Sequence, residues 1–344
     1  MRWRHLRGLL LVWLQAQALA QPLGLVASSL PGVARPQAPM NHTKPVTQWL
    51  QRLHWATQQH AYVGTFEVTS GADTSQARIW HVAQGGQHIE RVEVLTGVPR
   101  TIFRRNDDVM IYLPNDRVVI AEKRAALGLF PNLPSRADLA IAQHYQLTRW
   151  GHESVAGVKA DVVQLEPRDA WRFAYRVWTE QATGLVLKLQ TLDAQQQVLE
   201  QSVFLQWERA QPLDWDKLNA MMNHTEGFLV KQKELISTTA DKEGWQLKFS
   251  VPGFQTLSCH KRLEQVKGVK NPPLQCVVSD GLASVSLFME PFEATRHTKY
   301  VHERMAWGAT HMQSRQVGNW WLTAVGEVPP ATLELLVQGL ERKN

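Results

Sequence analysis

The chain has 344 residues, more than most single domains hold, and its 44% apolar and 20% charged residues are an ordinary globular composition. The formal net charge of +6 is modest, so the sequence gives no reason to expect a nucleic-acid-binding protein. We therefore expect a folded protein of two domains.

Residues 1–20, "MRWRHLRGLLLVWLQAQALA", have the form of a secretory signal peptide. Arginines precede a short apolar run, and Ala18-Leu19-Ala20 fits a small-x-small cleavage site. The alternative is an N-terminal anchor that is not cleaved. Residues 21–40 are rich in Pro, Ala and Ser and predict a flexible lead-in. We expect an exported protein.

Residues 41–208 predict a first domain of one early helix followed by many short strands. Val46, Leu50 and Leu53 recur at helical spacing, and the period changes to two at Tyr62. Gly, Asn and Asp punctuate the strand candidates, as hairpin turns require. The strand candidates that follow lie at 77–82, 88–95, 100–104, 109–113 and 117–121. A second helix, from Ser135 through Ala142, is predicted before the strands resume.

A polar stretch at 209–227 predicts a linker, with room for one short helix, and residues 228–344 predict a second domain. Its strands surround turns at Ser279-Asp280-Gly281 and Gly318-Asn319, and a helix from Thr332 to Leu340 closes the chain. The expected fold class is α+β, a large antiparallel sheet with a few helices followed by a smaller α+β domain.

The two cysteines, Cys259 and Cys276, suggest a disulfide if the protein is exported. Zinc is the weaker alternative, because two thiols do not complete a zinc site and no fourth ligand is evident near His260. No cofactor or metal is expected.

The strand around residue 110 carries apolar residues on both faces. Val109 and Ile111 fall on one side, and Met110 and Tyr112 fall on the other. Two short helices are too few to cover a sheet of this size, so we expect an apolar hollow that can take a guest molecule. The alternative is a hollow filled by the protein itself. The candidate lining residues are Leu95, Ile102, Met110, Tyr112, Ile120, Trp178 and Leu187, with Leu129 and Phe130 in an apolar loop that could act as a lid.

Two neighbouring tryptophans, Trp320 and Trp321, must face opposite sides of a strand. One of them is a candidate contact for a protein partner, and ordinary core packing is the alternative.

The sequence holds no recognisable catalytic arrangement. The nearest carboxylate pair, Asp107-Asp108, lies in a predicted turn, where Asp is common for backbone reasons. Arg104, Arg105 and Lys123 could attract an anionic lipid head group, or they could simply be solvated strand ends.

Several segments resemble the MucB/RseB family of periplasmic regulators of the envelope-stress sigma factor. They are "WLQRLHWATQQHAYVGTF", "RVEVLTGVPRTIFRRNDDVMIYLP", "SVAGVKADVVQLEPRDAWRFAYRVWTEQATGLVLK", "VVSDGLASVSLFME" and "GEVPPATLELLVQGL". The resemblance covers nearly the whole chain after the signal peptide. The third segment is the most specific of the five.

This resemblance implies a first domain similar to the lipoprotein carrier half-barrel. The second domain would supply the main contact with the periplasmic part of an RseA/MucA-like anti-sigma factor and shield that factor from its first protease. Lipopolysaccharide or another amphiphile would release it. A periplasmic carrier of lipoproteins or lipids is the alternative, and an envelope hydrolase is disfavoured because no nucleophile–base pair is evident. Self-association into a homo-oligomer is a further alternative.

Overall fold

The computed structural model describes residues 44–123, 139–209, 214–232, 234–248, 251–263, 272–297 and 304–343. The predicted signal peptide and lead-in lie outside these ranges. So do the predicted cap Ser135 and the lid residues Leu129 and Phe130.

The first domain is built on a large open sheet. The twelve strands that lie within the described residues follow the order β12-β6-β5-β4-β3-β2-β1-β11-β10-β9-β8-β7, and every neighbouring pair is antiparallel except β6 and β12. The strands are β1 (Tyr62–Ser70), β2 (Asp73–Gln84), β3 (Gln87–Val94), β4 (Thr101–Arg105), β5 (Asp108–Leu113), β6 (Val118–Lys123), β7 (Tyr145–Val155), β8 (Val158–Pro167), β9 (Ala174–Glu180), β10 (Val186–Leu192), β11 (Val198–Arg209) and β12 (Leu229–Gln232).

Helices α1 (Lys44–Gln59) and α2 (Leu139–His144) cover the part of the sheet formed by β7 to β10. The apolar stripe of α1 packs through Val46, Leu50 and Leu53. Ile141 of α2 joins the same cluster, together with buried side chains of β8, β9 and β10. The predicted early helix and the helix near Ala142 are therefore present, because their apolar faces have a sheet to cover.

Strands β2 to β6 are covered on both faces, as the apolar residues on both sides of β5 require. Along these strands, alternate residues contribute to two separate clusters. The first cluster contains Ile79, Val92, Ile102 and Ile111, and it also includes Trp178, Leu187 and Phe204 from the other half of the sheet. The second cluster contains Val82, Ile89, Phe103, Tyr112 and Val119, and it packs against helix α3 (Trp215–Asn223).

The second domain is a smaller sheet with a helix against it, so the predicted α+β fold class is confirmed. Its main sheet has the order β13-β15-β16-β17-β20-β19-β18, and β14 pairs separately with β21. The elements are β13 (Glu234–Thr238), β14 (Trp245–Leu247), β15 (Gln255–Leu263), β16 (Leu274–Ser279), β17 (Ser284–Pro291), α4 (Ala294–His297), β18 (Arg304–Trp307), β19 (Thr310–Val317), β20 (Trp320–Gly326), α5 (Pro330–Gly339) and β21 (Leu340–Arg342).

Helix α5 supplies one side of the second core. Leu333, Leu336 and Val337 are buried against Val285 and Leu322 of the sheet. Pro330 at its start needs no backbone donor there, as the sequence predicts.

The two cysteines lie opposite each other on β15 and β16 and form a disulfide, with Cα atoms 4.0 Å apart. Both residues are buried in the second core. The bridge therefore joins strands that the backbone ladder already pairs.

The segment between the domains is ordered where it is described. The predicted linker 209–227 contains α3, which packs on the first sheet, and β12 then pairs with β6 of that sheet. The division between the two sheets falls between Gln232 and Glu234, a few residues beyond the expected start at 228.

Candidate ligand-binding site

A cavity of about 510 Å³ lies between α3 and strands β4 and β5 of the first sheet. It is open to solvent on one side, and its size is within the usual range for a small-molecule site. Its walls are formed by Arg91, Thr101, Phe103, Tyr112, Pro114, Ala220, Met221, His224 and Phe228.

Helix α3 is held over the sheet by a cap and by two side chains that face inward. The side chain of Asp214 accepts hydrogen bonds from the backbone N–H groups of Asp216 and Lys217, as a helix start favours. Leu218 and Met222 lie one helical turn apart and are buried against the sheet. This short helix therefore gains most of its stability from packing.

Two polar contacts fix the position of α3 on the sheet, beside the cavity. The Tyr112 hydroxyl donates to the backbone oxygen of Met222 at 2.7 Å. Arg105 donates to the Asn219 side-chain oxygen at 2.5 Å and also pairs with Asp108 at 3.3 Å. Burial raises the pKa of Tyr112, so its hydroxyl remains a neutral donor.

The apolar part of the cavity wall is aromatic. The rings of Phe103 and Tyr112 meet edge to face at 5.6 Å, and those of Tyr112 and Phe228 do so at 5.4 Å. Such a wall suits a hydrocarbon chain or an apolar side chain.

Arg91 supplies a positive charge at the cavity wall. Its guanidinium lies 4.5 Å from the centre of the Trp80 ring and donates to the carboxylate of Glu93 at 2.9 Å. The Glu93 carboxylate is partly solvated, so it screens the arginine only in part. An apolar wall with a cation beside it suits a ligand that has an apolar chain and an anionic end.

The structure divides the predicted ligand-binding residues between the two faces of the sheet. Tyr112 lines the cavity, and Met110 packs against the same cluster. Ile102, Trp178 and Leu187 are buried in the first cluster on the other face, and Ile120 packs against that cluster.

Leu95 lies apart from both groups. It is 49% exposed in the loop after β3.

Trp178 is surrounded by polar groups as well as apolar ones. Its ring N–H donates to the Glu153 carboxylate at 2.8 Å, and the Lys188 ammonium lies 4.2 Å from the centre of its ring. A β-bulge between Val186 and Lys188 changes the register beside it. These contacts place Trp178 in a packed interior.

Sequence reasoning missed the residues that α3 and its neighbours bring to the cavity, chiefly Phe103, Met221 and Phe228. The available signal was short: Asp214 in a capping position, followed by Leu218 and Met222 four residues apart. The residues expected to contact a head group have different surroundings. Arg104 donates to the backbone oxygen of Asn106 at 3.1 Å, whereas Lys123 is exposed at the end of β6.

The two predicted partner residues face opposite sides of β20, as the sequence requires, but neither is widely exposed. Trp321 is buried and stacks on His297 at 5.0 Å. Burial and nearby Arg296 lower the pKa of His297 to about 4, so the imidazole is neutral near pH 7. Trp320 packs edge to face on Trp245, with Arg342 over its ring.

Two observations concern candidate metal ligands and the carboxylate pair noted in the sequence. Within these ranges, no three His, Cys, Asp or Glu side chains come together as candidate metal ligands. Asp108 is engaged by Arg105 at the end of the hairpin.

Comparisons with known proteins cover both domains. Residues 45–222 match the family model of the MucB/RseB N-terminal domain, and residues 239–341 match that of the MucB/RseB C-terminal domain. The sigma factor AlgU regulatory protein MucB of Pseudomonas aeruginosa is 28% identical over 306 residues, which is 86% of this chain and 90% of that protein. The sigma-E factor regulatory protein RseB of Escherichia coli is 20% identical, with coverage of 85% and 89%.

Solved structures agree with this assignment. The Pseudomonas aeruginosa MucA/MucB complex matches with a TM-score of 0.66 and 26% identity, over 87% of this chain and 99% of the solved chain. A crystal structure of MucB in complex with MucA(peri) matches with a TM-score of 0.65 and 25% identity, with the same coverage. Because the first family model alone spans more than half of the sequence, and the second spans most of the remainder, this chain belongs to the MucB/RseB family.

Proposed function

We propose that this protein is a periplasmic regulator that binds the periplasmic segment of a membrane-bound anti-sigma factor. In this role it protects the anti-sigma factor from proteolysis, and an amphiphile such as lipopolysaccharide releases it. The observation that carries the proposal is the match of both domains to MucB, which has been solved in complex with MucA(peri). The predicted signal peptide and the buried disulfide support an exported location.

The cavity beside α3 supports the amphiphile step. At about 510 Å³ it has room for a small ligand or for one apolar chain of a larger one. Arg91 stands where the anionic end of such a ligand would lie. The first cluster, with Ile102, Trp178 and Leu187, is packed by its own side chains and supports this step less directly.

The location of the cavity also supports coupling between the ligand and the partner. A ligand can release the partner only if it binds the free and bound forms with different affinities. Helix α3 contributes Ala220 and Met221 to the cavity wall, and after a short loop the chain continues into β12 and β13, where one sheet ends and the other begins. A ligand chain inserted beside α3 would push on the segment that connects the two sheets.

The test uses the full chain without its signal peptide and the periplasmic segment of the cognate anti-sigma factor. We expect binding in a pull-down and slower cleavage of the segment by its protease, both reversed by lipopolysaccharide. A purified protein that neither binds nor protects the segment would refute the proposal. Transfer of a lipidated protein between vesicles, without such binding, would favour the carrier alternative.

A further inference from the structure

The two sheets end on strands that follow each other directly in the chain. β12 is an edge strand of the first sheet, and β13 is an edge strand of the second. A single residue, Lys233, separates them. In the described part of the chain, no strand pairs with the outer side of either one. Strands 229–232 and 234–238 therefore each leave one edge of their sheet open, and we call these two strands together the shared edge.

The shared edge exposes apolar side chains. Leu229 and Val230 of β12 are 63% and 40% exposed, and Ile236 of β13 is 46% exposed. Leu257, at the bulge of β15 beside the end of β13, is 64% exposed. Open edges are usually protected by charge, proline or short strands, because unpaired backbone groups invite another strand. Here β12 is short and carries Lys231, but Leu229 and Val230 are still exposed to solvent. Exposed apolar side chains of this kind are typical of a surface that another molecule covers.

The charge around the shared edge indicates which partner fits. Basic residues outnumber acidic ones on the two edge strands and the strands paired with them. Among the described side chains they are Lys123, Lys231 and Lys261, against Glu122, and Lys261 is paired with Glu243 at 2.6 Å, so Lys123 and Lys231 supply the available positive charge. Glu122 is buried, so it contributes little to the outer surface.

We propose that the shared edge is where an extended, acidic segment of the partner protein docks, by adding a strand to one or both sheets. Backbone hydrogen bonds would supply affinity, and the exposed apolar side chains and lysines would supply specificity. The inference rests on the proposed function, because it identifies the surface where the anti-sigma factor segment binds. A segment bound along both edges would also depend on the relative placement of the two domains.

The test measures the affinity of the full chain for the fluorescently labelled periplasmic segment of the anti-sigma factor. The variant Leu229→Asp/Ile236→Asp adds negative charge to the shared edge without disturbing a core. The matched control is Val198→Asp/Leu205→Asp on β11, where the side chains are 49% and 45% exposed. Thermal unfolding checks that both variants fold.

We expect the edge variant to bind at least tenfold more weakly and the control to stay within about twofold of the unmodified chain. Hydrogen exchange should show new protection of backbone amides in 229–238 on binding. Unmodified affinity in the edge variant, with no protection there, would overturn the docking proposal and leave the proposed function standing. Failure of the unmodified chain to bind the segment would overturn both.

A second copy of this chain is the competing occupant. If sedimentation shows a dimer that the edge variant converts to a monomer, then the edge is a self-association surface and the docking proposal is wrong.

Discussion

Arg172 and Asp280, which belong to different domains, form an ion pair of 2.8 Å with both side chains fully buried. Asp169 also pairs with Arg172 at 2.8 Å, and the Tyr145 hydroxyl donates to Asp280 at 3.1 Å. The backbone oxygen of Pro252 accepts a further hydrogen bond from Arg172. The turn at Asp280 thus inserts a carboxylate into the first domain, next to α2 and β9.

Removing the charge of Asp280 should destabilise the docked domains strongly. In Asp280→Asn the Oδ1 atom that accepts from the backbone of Leu282 and Ala283 is kept, so the turn can persist. Arg172 would then lose the fully buried one of its two carboxylate partners, and breaking a buried pair costs about 3–5 kcal/mol. Urea denaturation should show this loss, and small-angle scattering should show whether the domains separate.

The control for this prediction is an ion pair in solvent. Lys248 and Glu341 pair at 2.6 Å, with side chains 55% and 44% exposed. Glu341→Gln should change the free energy of unfolding by less than about 1 kcal/mol. Equal effects of the two substitutions would show that Arg172 and Asp280 do not hold the domains together.

A pair of carboxylates also acts across the domain boundary and should make stability depend on pH. Burial, and to a lesser extent Glu200 of the first domain, raise the pKa of Glu327 from its ordinary value of 4.5 to about 8. Burial raises the pKa of Glu200 as well, although its hydrogen bond from Ser70 opposes this. Between pH 4.5 and 8 the folded state therefore binds more protons than the unfolded state, and stability should fall as pH rises.

Glu327→Gln should remove part of this pH dependence. The variant should gain stability relative to the unmodified chain as pH rises from 4.5 to 8, by at least about 1.4 kcal/mol if the pKa shift exceeds one unit. Thermal unfolding at several pH values measures the effect. Parallel stability curves for the two proteins across this pH range would contradict the prediction.

The sequence predicted the strands of the first sheet well, because alternation and turn residues are local signals. The predicted strand at 109–113 corresponds to β5 (Asp108–Leu113), and the apolar residues on both of its faces correctly indicated a second cover. The identity of that cover was harder to predict. Helix α3 has nine residues and buries only Leu218 and Met222, so its segment reads as polar.

Contacts between distant segments had no local signal at all. Tyr145 and Asp280 are 135 residues apart in sequence, and nothing in either neighbourhood indicates that they meet. The face on which Trp178 and Leu187 lie depends on a β-bulge beside them, and a strict period of two cannot anticipate a bulge. The predicted hollow therefore combined residues that the fold assigns to different faces.

The disulfide should add to the stability of the second domain. It closes a loop with a sequence separation of 17, worth about 3 kcal/mol in the chain-entropy model. Reductant should lower the denaturant midpoint of the unmodified chain, and the Cys259→Ala/Cys276→Ala variant should be insensitive to reductant. A shift of the same size in both proteins would show that reductant acts elsewhere.

The cavity beside α3 can be blocked at a position where added bulk costs little stability. Ala220 lines the cavity from the exposed side of α3, so Ala220→Trp should fill space that a ligand would use. We expect the variant to bind a fluorescent fatty acid at least tenfold more weakly. Arg91→Gln should weaken binding of the acid more than binding of the matching alcohol.

Lys217→Trp, on the same helix but not in the cavity wall, is the matched control. Fluorescence titration of the full chains separates the two contributions, because a filled cavity weakens both probes whereas loss of Arg91 weakens mainly the anion. If Ala220→Trp and Lys217→Trp bind both probes as the unmodified chain does, the amphiphile binds elsewhere.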